Sequence, residues 1–329
     1  MKQLICSITL LALLLFVQGC ITDHVEPLPD PQSFSSEAFV SGLKSPIGIT
    51  VDDQGNIWVT EAGTGNNNDD ASVAMITPSG NKTIFTAGLR SVTGQGSIEG
   101  ISHLVYRAGK LYFLHGVNGT LYTADVSSFK PGDAAVDLAT IHSEDVGDYV
   151  RSLELTDPLN SNGYDLTFGP GDHLYIVDAG SNAIIKKDMV SGKMSLFARF
   201  PEPAPGVDAV PTGIVYDGGK FLVSSLTGFP FAPGSAKIFQ VDNAGTVSEY
   251  KTNYTTLSGI TLSVNNKPIV IQHGTFGAMG FEALSGKVLD ENGNTLLSNL
   301  SQPTDIVRAS DKVYYLLSYR DGTISKLSY

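Results

Sequence analysis

SPIGITVDDQGNIWVTEAG, from Ser45 to Gly63, carries the pattern that decides the fold. A Pro-x-Gly-Ile turn opens an alternating strand, a turn rich in Asp, Gly and Asn reverses it, and an apolar strand returns. The same order recurs in IEGISHLVYRAGKLYFLHG (Ile98–Gly116), GYDLTFGPGDHLYIVDAG (Gly163–Gly180), PTGIVYDGGKFLVSSLTG (Pro211–Gly228), LSGITLSVNNKPIVIQHG (Leu257–Gly274) and PTDIVRASDKVYYLLSYRDG (Pro303–Gly322). Units starting at 46, 98, 163, 211, 257 and 303 are spaced by 46 to 65 residues. The shorter spacings match the roughly 40–50 residues of a four-stranded propeller blade, and the two longer ones carry insertions.

Third strands follow each pair, as in VAMITPSG (Val73–Gly80) and AKIFQVDNAG (Ala236–Gly245), and fourth strands close the units, as in TIFTAGL (Thr83–Leu89). The last unit ends at Tyr329 after its third strand. Its fourth is found at the other end of the chain, where EAFVSGL (Glu37–Leu43) nearly copies TIFTAGL. The expectation is an all-β, six-bladed β-propeller over residues 37–329, with the N-terminal strand completing the last blade and leaving only short, protected edges. Gly147–Leu155, inside the insertion Ser127–Asn162, is the one candidate helix. Trp58 reads as packing between blades.

Ahead of the ring, Met1-Lys2-Gln3 leads into an apolar run from Leu4 to Val17, followed by Gln18-Gly19-Cys20. This is the layout of a secretory signal, and the run is shorter than the ~20 apolar residues that span a bilayer. Gly19-Cys20 resembles the lipobox of bacterial lipoproteins. The expectation is a signal at 1–19, lipidation at Cys20, and a Pro-containing tether to residue 36. A plain secretory signal, cleaved nearby, is the alternative. Either way the chain is exported; the lipidated form would sit on a membrane facing the periplasm or the cell surface. Cys6 leaves with the signal, so the mature chain has no second cysteine to pair with Cys20. About 290 residues bury enough surface to need no staple.

The formal net charge of −12 repels phosphate backbones, and no basic stripe offsets it, so nucleic acid is not an expected partner. Candidate chemistry gathers where strands begin and end. Glu99, Tyr164, Asp165, Thr212, Ser258, Thr304 and Asp305 open innermost strands. Glu61, His115, Asp178, Ser225, Gln272 and His273 end second strands or follow them directly. The two sets are expected at opposite mouths of the channel or at different radii. Glu99, Asp165 and Asp305 offer hard oxygen ligands suited to Ca2+; equally, Asp165 and Asp305 suit acceptance of backbone N–H groups. His103, His115, His173 and His273 lie in different repeats and lack any metalloprotease spacing. Gly65–Asp70 is rich in Asn and Asp but lacks EF-hand spacing and reads as an exposed loop. No GxSxG elbow or nucleotide fingerprint occurs between a strand and a helix. Phe229 and Phe231, on a loop between prolines and glycines, suit either a binding surface or packing over a neighbouring blade.

SLTGFPFAPGSAKIFQVD (Ser225–Asp242), together with EAGTG (Glu61–Gly65), SNGYDL (Ser161–Leu166) and DAGSNAII (Asp178–Ile185), resembles the ScyD/ScyE family. These are NHL-like or TolB-like propellers encoded beside scytonemin pigment genes in cyanobacteria and found in other bacteria. The resemblance covers nearly the whole mature chain and implies the six-bladed fold and export, with no established reaction. Ser225 and Gln272 stand where the family pattern leads one to expect acids. Two functions follow as expectations. One is a lipid-anchored binding module for a small molecule, a glycan or an envelope protein. The other is a Ca2+-assisted hydrolase or lactonase of the gluconolactonase-like kind, centred on Glu99, Asp165 and Asp305.

Overall fold

Asp52 makes the first hairpin. Its carboxylate accepts the backbone N–H groups of Gln54 and Asn56, the Asn56 amide and the Trp58 indole N–H, while Gly55 takes the left-handed step at φ +79°. Pro46–Val51 is thereby folded back on Ile57–Glu61. Asp217, Asp242 and Asp290 gather their own turns in the same way. An acid that accepts two or more N–H groups two to four residues onward is the local reason these segments reverse.

The computed structural model describes residues 28–94 and 96–329 and is a six-bladed β-propeller. The expected signal, Cys20 and the proposed tether up to residue 27 lie outside the described residues. The innermost strands are Pro46–Val51, Ile101–Arg107, Gly163–Phe168, Pro211–Tyr216, Leu257–Leu262 and Pro303–Arg308. They pack side by side in chain order, and the sixth meets the first. Each blade is an antiparallel four-stranded sheet, with a fifth strand, Ser97–Glu99, added to blade one.

Ser35–Val40 closes the ring. It pairs antiparallel with Thr323–Ser328, with Ser35 opposite Ser328 and Val40 opposite Ile324. The segment just before it is packed, so the tether expected up to residue 36 gives way by residue 28. Phe34 is buried edge-on against Tyr314 and Tyr329, at 5.1 and 5.8 Å between ring centres, and its N–H donates to Leu296 O. Asp30 and Leu28 meet Ser263 and Asn265 in a turn of blade five. Burying one aromatic side chain contributes about 1.5–3 kcal/mol, enough to draw this polar, Pro-containing stretch onto the surface.

Two expectations need adjusting. The innermost strand of blade two begins at Ile101, three residues later than the repeat pattern placed it. Glu99 therefore sits on the extra strand of blade one, opposite Val92. His103, not Glu99, takes the place that Asp165 and Asp305 hold in their blades, since each of the three precedes the leucine or isoleucine after the strand's bulge. The helix in the insertion is Val146–Ser152, started by Asp145, whose carboxylate accepts Asp148 N at 2.7 Å. Trp58 is buried against Phe85 of its own blade and Phe129 of the insertion in blade two.

Candidate functional site

Strand pairing shows where the two predicted sets lie. Pro46 is opposite Glu61, Ile101 opposite His115, Gly163 opposite Asp178, Pro211 opposite Ser225, Leu257 opposite Gln272 and Pro303 opposite Ser318. Both sets therefore stand at one mouth of the channel, one strand apart in radius. The Asp-gathered turns occupy the other end, called here the turn face.

Side chains of the innermost and second strands join the blades. Between blades one and two, Thr60 Oγ1 donates to Ser102 O at 2.6 Å and accepts Gly48 N. His103 Nδ1 donates to Tyr164 O at 2.9 Å, crossing from blade two to three. Asp165 accepts Ile214 N at 2.8 Å, joining three to four. Thr212 donates to Leu257 O at 2.7 Å and Ser258 to Pro303 O at 2.8 Å. Between blades six and one, Thr304 donates to Pro46 O at 3.0 Å and Asp305 accepts Ile49 N at 2.8 Å. Asp165 and Asp305 each also accept the N–H of the next residue on their other oxygen. The channel set thus staples the ring.

The acids among them form one electrostatic group. Asp305 is pushed up to about 7, chiefly by burial, with His103 opposing and Asp165 adding to the rise. Burial also raises Asp165, again opposed by His103. His103 reaches this group because Gly48 has no side chain: a Cβ there would stand 2.6 Å from His103 Cα. Its Nε2 lies 3.7 Å from Asp305 Oδ2. Above them burial raises the Tyr164 hydroxyl, which lies within electrostatic reach of Asp305, Asp165, Glu99 and Tyr319. Glu99 is half-buried and raised by that burial.

The Ca2+ set does not fit this arrangement. Among the described residues no three His, Cys, Asp or Glu side chains group as a metal site. Glu99 comes from a different strand than its supposed partners, and both aspartates already use both oxygens on backbone N–H groups.

Residues ending the second strands brace the adjoining loops. Glu61 accepts Lys44 N at 2.7 Å and pairs with Lys82. His115 accepts Asn118 N on Nδ1 and so donates from Nε2 to Arg90 O, and burial holds its pKa down. Asp178 accepts the Ser161 hydroxyl and Ser181 N, both at 2.7 Å. Ser225 accepts Lys237 N, and Gln272 donates to Ser285 O. Bracing is thus retained where acids were expected at Ser225 and Gln272. His173 stands on the turn face beside Asp188.

A rim of aromatic side chains rises from this mouth on blades four and five. Phe229 and Phe231 lie on the loop between Phe221–Ser225 and Ala236–Val241. Phe276 and Phe281 pair across a two-rung ladder in the equivalent loop of blade five. Phe231 is 4.9 Å from Phe276, which is 5.1 Å from Phe281 and 6.2 Å from Phe229. Phe229 is 74% exposed and Met279, at the loop's tip, fully so. The sequence reading missed Phe276 and Phe281, although GTFGAMGF, like LTGFPF, sets two phenylalanines among glycines after a second strand. His273 lies under the rim, 4.7 Å from the Phe281 ring, and donates from Nδ1 to Pro303 O at 3.1 Å.

Burial depresses His273 to about 4, so the fold favours its neutral form. That contribution is present above the ordinary value of 6.5 and is lost as pH falls toward 4. Urea titrations across this window are expected to show the stability difference between wild type and His273→Asn shrinking by about 1.4 kcal/mol per pH unit on acidification.

No family profile matches the chain, and no curated protein matches it in sequence. Solved structures do. Virginiamycin B lyase from Staphylococcus aureus superposes with a TM-score of 0.55 at 15% identity, over 90% of this chain and 100% of its own. A putative gluconolactonase gives 0.57 at 10% identity, over 91% and 93%. The PQQ-bound aldose sugar dehydrogenase of Streptomyces coelicolor gives 0.55 at 16% identity, over 91% and 99%. Likeness at this distance shows the six-bladed propeller fold and nothing finer.

Proposed function

We propose that this chain is an exported, lipid-anchored binding module of the bacterial envelope, related to the ScyD/ScyE propellers, which holds its ligand at the aromatic-rimmed mouth. The carrying observation is the division of labour at that mouth. Its polar side chains brace loops and join blades, while four phenylalanines and Met279 form an apolar patch with Phe229 and Met279 exposed. Exposed clusters of this kind mark interaction sites more often than isolated surface apolar residues do. Rings set edge to face, as Phe229 and Phe276 are at 85°, suit the apolar face of a sugar or an aryl group.

Two measurements test the reading. In a ligand screen followed by calorimetry, Phe229→Ala combined with Phe276→Ala is expected to weaken binding about tenfold, from about 1.5 kcal/mol of lost aromatic contact. Unchanged affinity would move the site elsewhere. In the cell, Cys20→Ala is expected to shift the protein from the membrane to the soluble exported fraction, since a lipid chain contributes about 0.8 kcal/mol per buried CH2. Retention on the membrane would refute the anchor.

One observation favours a second, hydrolytic reading. Glu99 and Asp305 are both raised by burial, which places carboxyl groups closer to the pH at which they exchange protons in catalysis. Lactone or ester turnover abolished in Glu99→Gln would establish it; the absence of turnover on a lactone and ester panel would retire it.

A further inference from the structure

We infer that the protein carries a second ligand site, a polar cleft beside the outermost strand of blade three, and that this cleft takes a neutral oligosaccharide. The inference does not rest on the reading of the aromatic mouth. The cleft encloses about 340 Å3, within the roughly 300–1,000 Å3 usual for small-molecule sites. Three segments wall it. Asp157 and Asn160 come from the insertion between blades two and three, Arg199, Phe200 and Glu202 from the end of the strand Met194–Arg199 and the chain just after it, and Asp208 from the approach to blade four. A more open hollow of about 560 Å3 continues toward the blade-four turn at Gly245 and shares Arg199, Phe200 and Glu202 as walls.

The polar groups are held by the protein at one atom each. Arg199 donates one N–H to Leu155 O at 2.6 Å. Asp208 accepts the Asn182 amide on Oδ1 at 2.7 Å, and Asn182 is fixed in turn by Val210 N. Glu202 accepts Gly206 N on Oε2 at 2.8 Å. Among the described residues, the other carboxylate oxygens of Asp208 and Glu202, the remaining Arg199 donors, the Asp157 carboxylate and the Asn160 side-chain amide have no protein partner. Seven of the twelve residues lining the cleft carry polar or charged side chains, which disfavours a lipid or an aryl group. Three carboxylates against one guanidinium repel an anion. An amine would meet the carboxylates but leave the Arg199 donors unmatched, because an ammonium has no acceptor. A hydroxyl both donates and accepts, so neighbouring hydroxyls of one sugar ring can take an N–H from Arg199 and donate to the carboxylates. The walls shared with the hollow extend the site beyond a single ring, which favours an oligomer over a free monosaccharide.

The test exposes the mature protein to immobilised neutral trisaccharides of glucose, mannose, galactose and N-acetylglucosamine, then measures the retained one by calorimetry beside its monosaccharide. The trisaccharide is expected to bind at least tenfold more tightly than the monosaccharide, with little change between low and high salt. Asp157→Ala and Arg199→Ala should each weaken it about tenfold or more, the usual effect of losing a hydrogen bond to a charged group. Asp157 has no recorded partner to lose, so its variant should keep the wild-type unfolding midpoint. Phe229→Ala, on the mouth, should leave trisaccharide affinity unchanged. Retention of none of the four overturns the inference, as does a monosaccharide bound as tightly as its trimer. Binding that falls in Phe229→Ala but survives both Asp157→Ala and Arg199→Ala also overturns it, and would place the sugar at the aromatic mouth instead.

Discussion

A chain lacking residues up to Val40 is expected to lose cooperative folding. The deletion exposes the whole edge of Thr323–Ser328, which Ser35–Val40 covers, and removes Phe34 from its seat between Tyr314 and Tyr329. Losing Phe34 alone costs about 3–5 kcal/mol through transfer and cavity terms. The vanished ladder adds about 0.5–1.5 kcal/mol for each hydrogen bond. Against a typical total of about 5–15 kcal/mol, the remainder is marginal or negative. Denaturant titration followed by Trp58 fluorescence would show a broad, early transition, and the bared edge would promote aggregation. A synthetic peptide spanning residues 28–43 should restore the transition in trans. A truncated chain that unfolds sharply at the wild-type midpoint would mean that the ring does not depend on this closure.

Asp305→Ala is expected to be the most damaging single substitution at the channel. It strands two buried backbone donors, Ile49 N and Ile306 N, at about 1–3 kcal/mol each. Ile49 N belongs to blade one, so the loss falls on the same junction that the N-terminal strand closes from outside. Urea unfolding should show an unfolding free energy lowered by about 2–6 kcal/mol, seen as an earlier midpoint with little change in slope. Asp165→Ala, which strands Ile214 N and Leu166 N, should behave alike, whereas Glu99→Ala should cost far less. The sign with pH adds a further check. Asp305 is raised from 3.8 to about 7 in the fold, so the stability tied to its protonated form is complete below pH 4 and is lost as pH rises through 7. The deficit of Asp305→Ala should therefore be larger in acid than above neutrality, and an equal deficit at both would contradict the burial of this carboxyl.

The blades were legible because each repeat carries its own turn chemistry. Asp52 and Asp217 sit where they must accept the next N–H groups, and EAFVSGL matches TIFTAGL closely enough to place a strand from the far end of the chain. What misled was mimicry: Ile98-Glu99-Gly100-Ile101 imitates the opening turn of the other repeats, while the true opening, Ile101-Ser102-His103-Leu104, has no glycine. The positive φ at Ser45, Val210, Thr256 and Gln302, each just before an innermost strand, is also silent in sequence, because none of those residue types announces it. The candidate acids were found, and acceptance of backbone N–H groups by Asp165 and Asp305 was one of the two roles read for them, but sequence alone did not choose between the two. Whether Asp165 holds an ion or a neighbour's N–H depends on where Ile214 lies, and that is set by the packing of another blade. Phe276 and Phe281 escaped notice because composition alone does not separate a rim from a core.

Ser35–Val40 runs from the turn face, where Leu28 and Asp30 are fastened, toward the mouth. A pull exerted between the N-terminus and anything held at the mouth therefore acts along the strand rather than across it. All rungs of the pairing with Thr323–Ser328 share such a load at once, instead of failing one after another as in a zipper. The closure that completes the circle is in this sense also its mechanical strong point, oriented to resist traction between the N-terminal segment and the mouth.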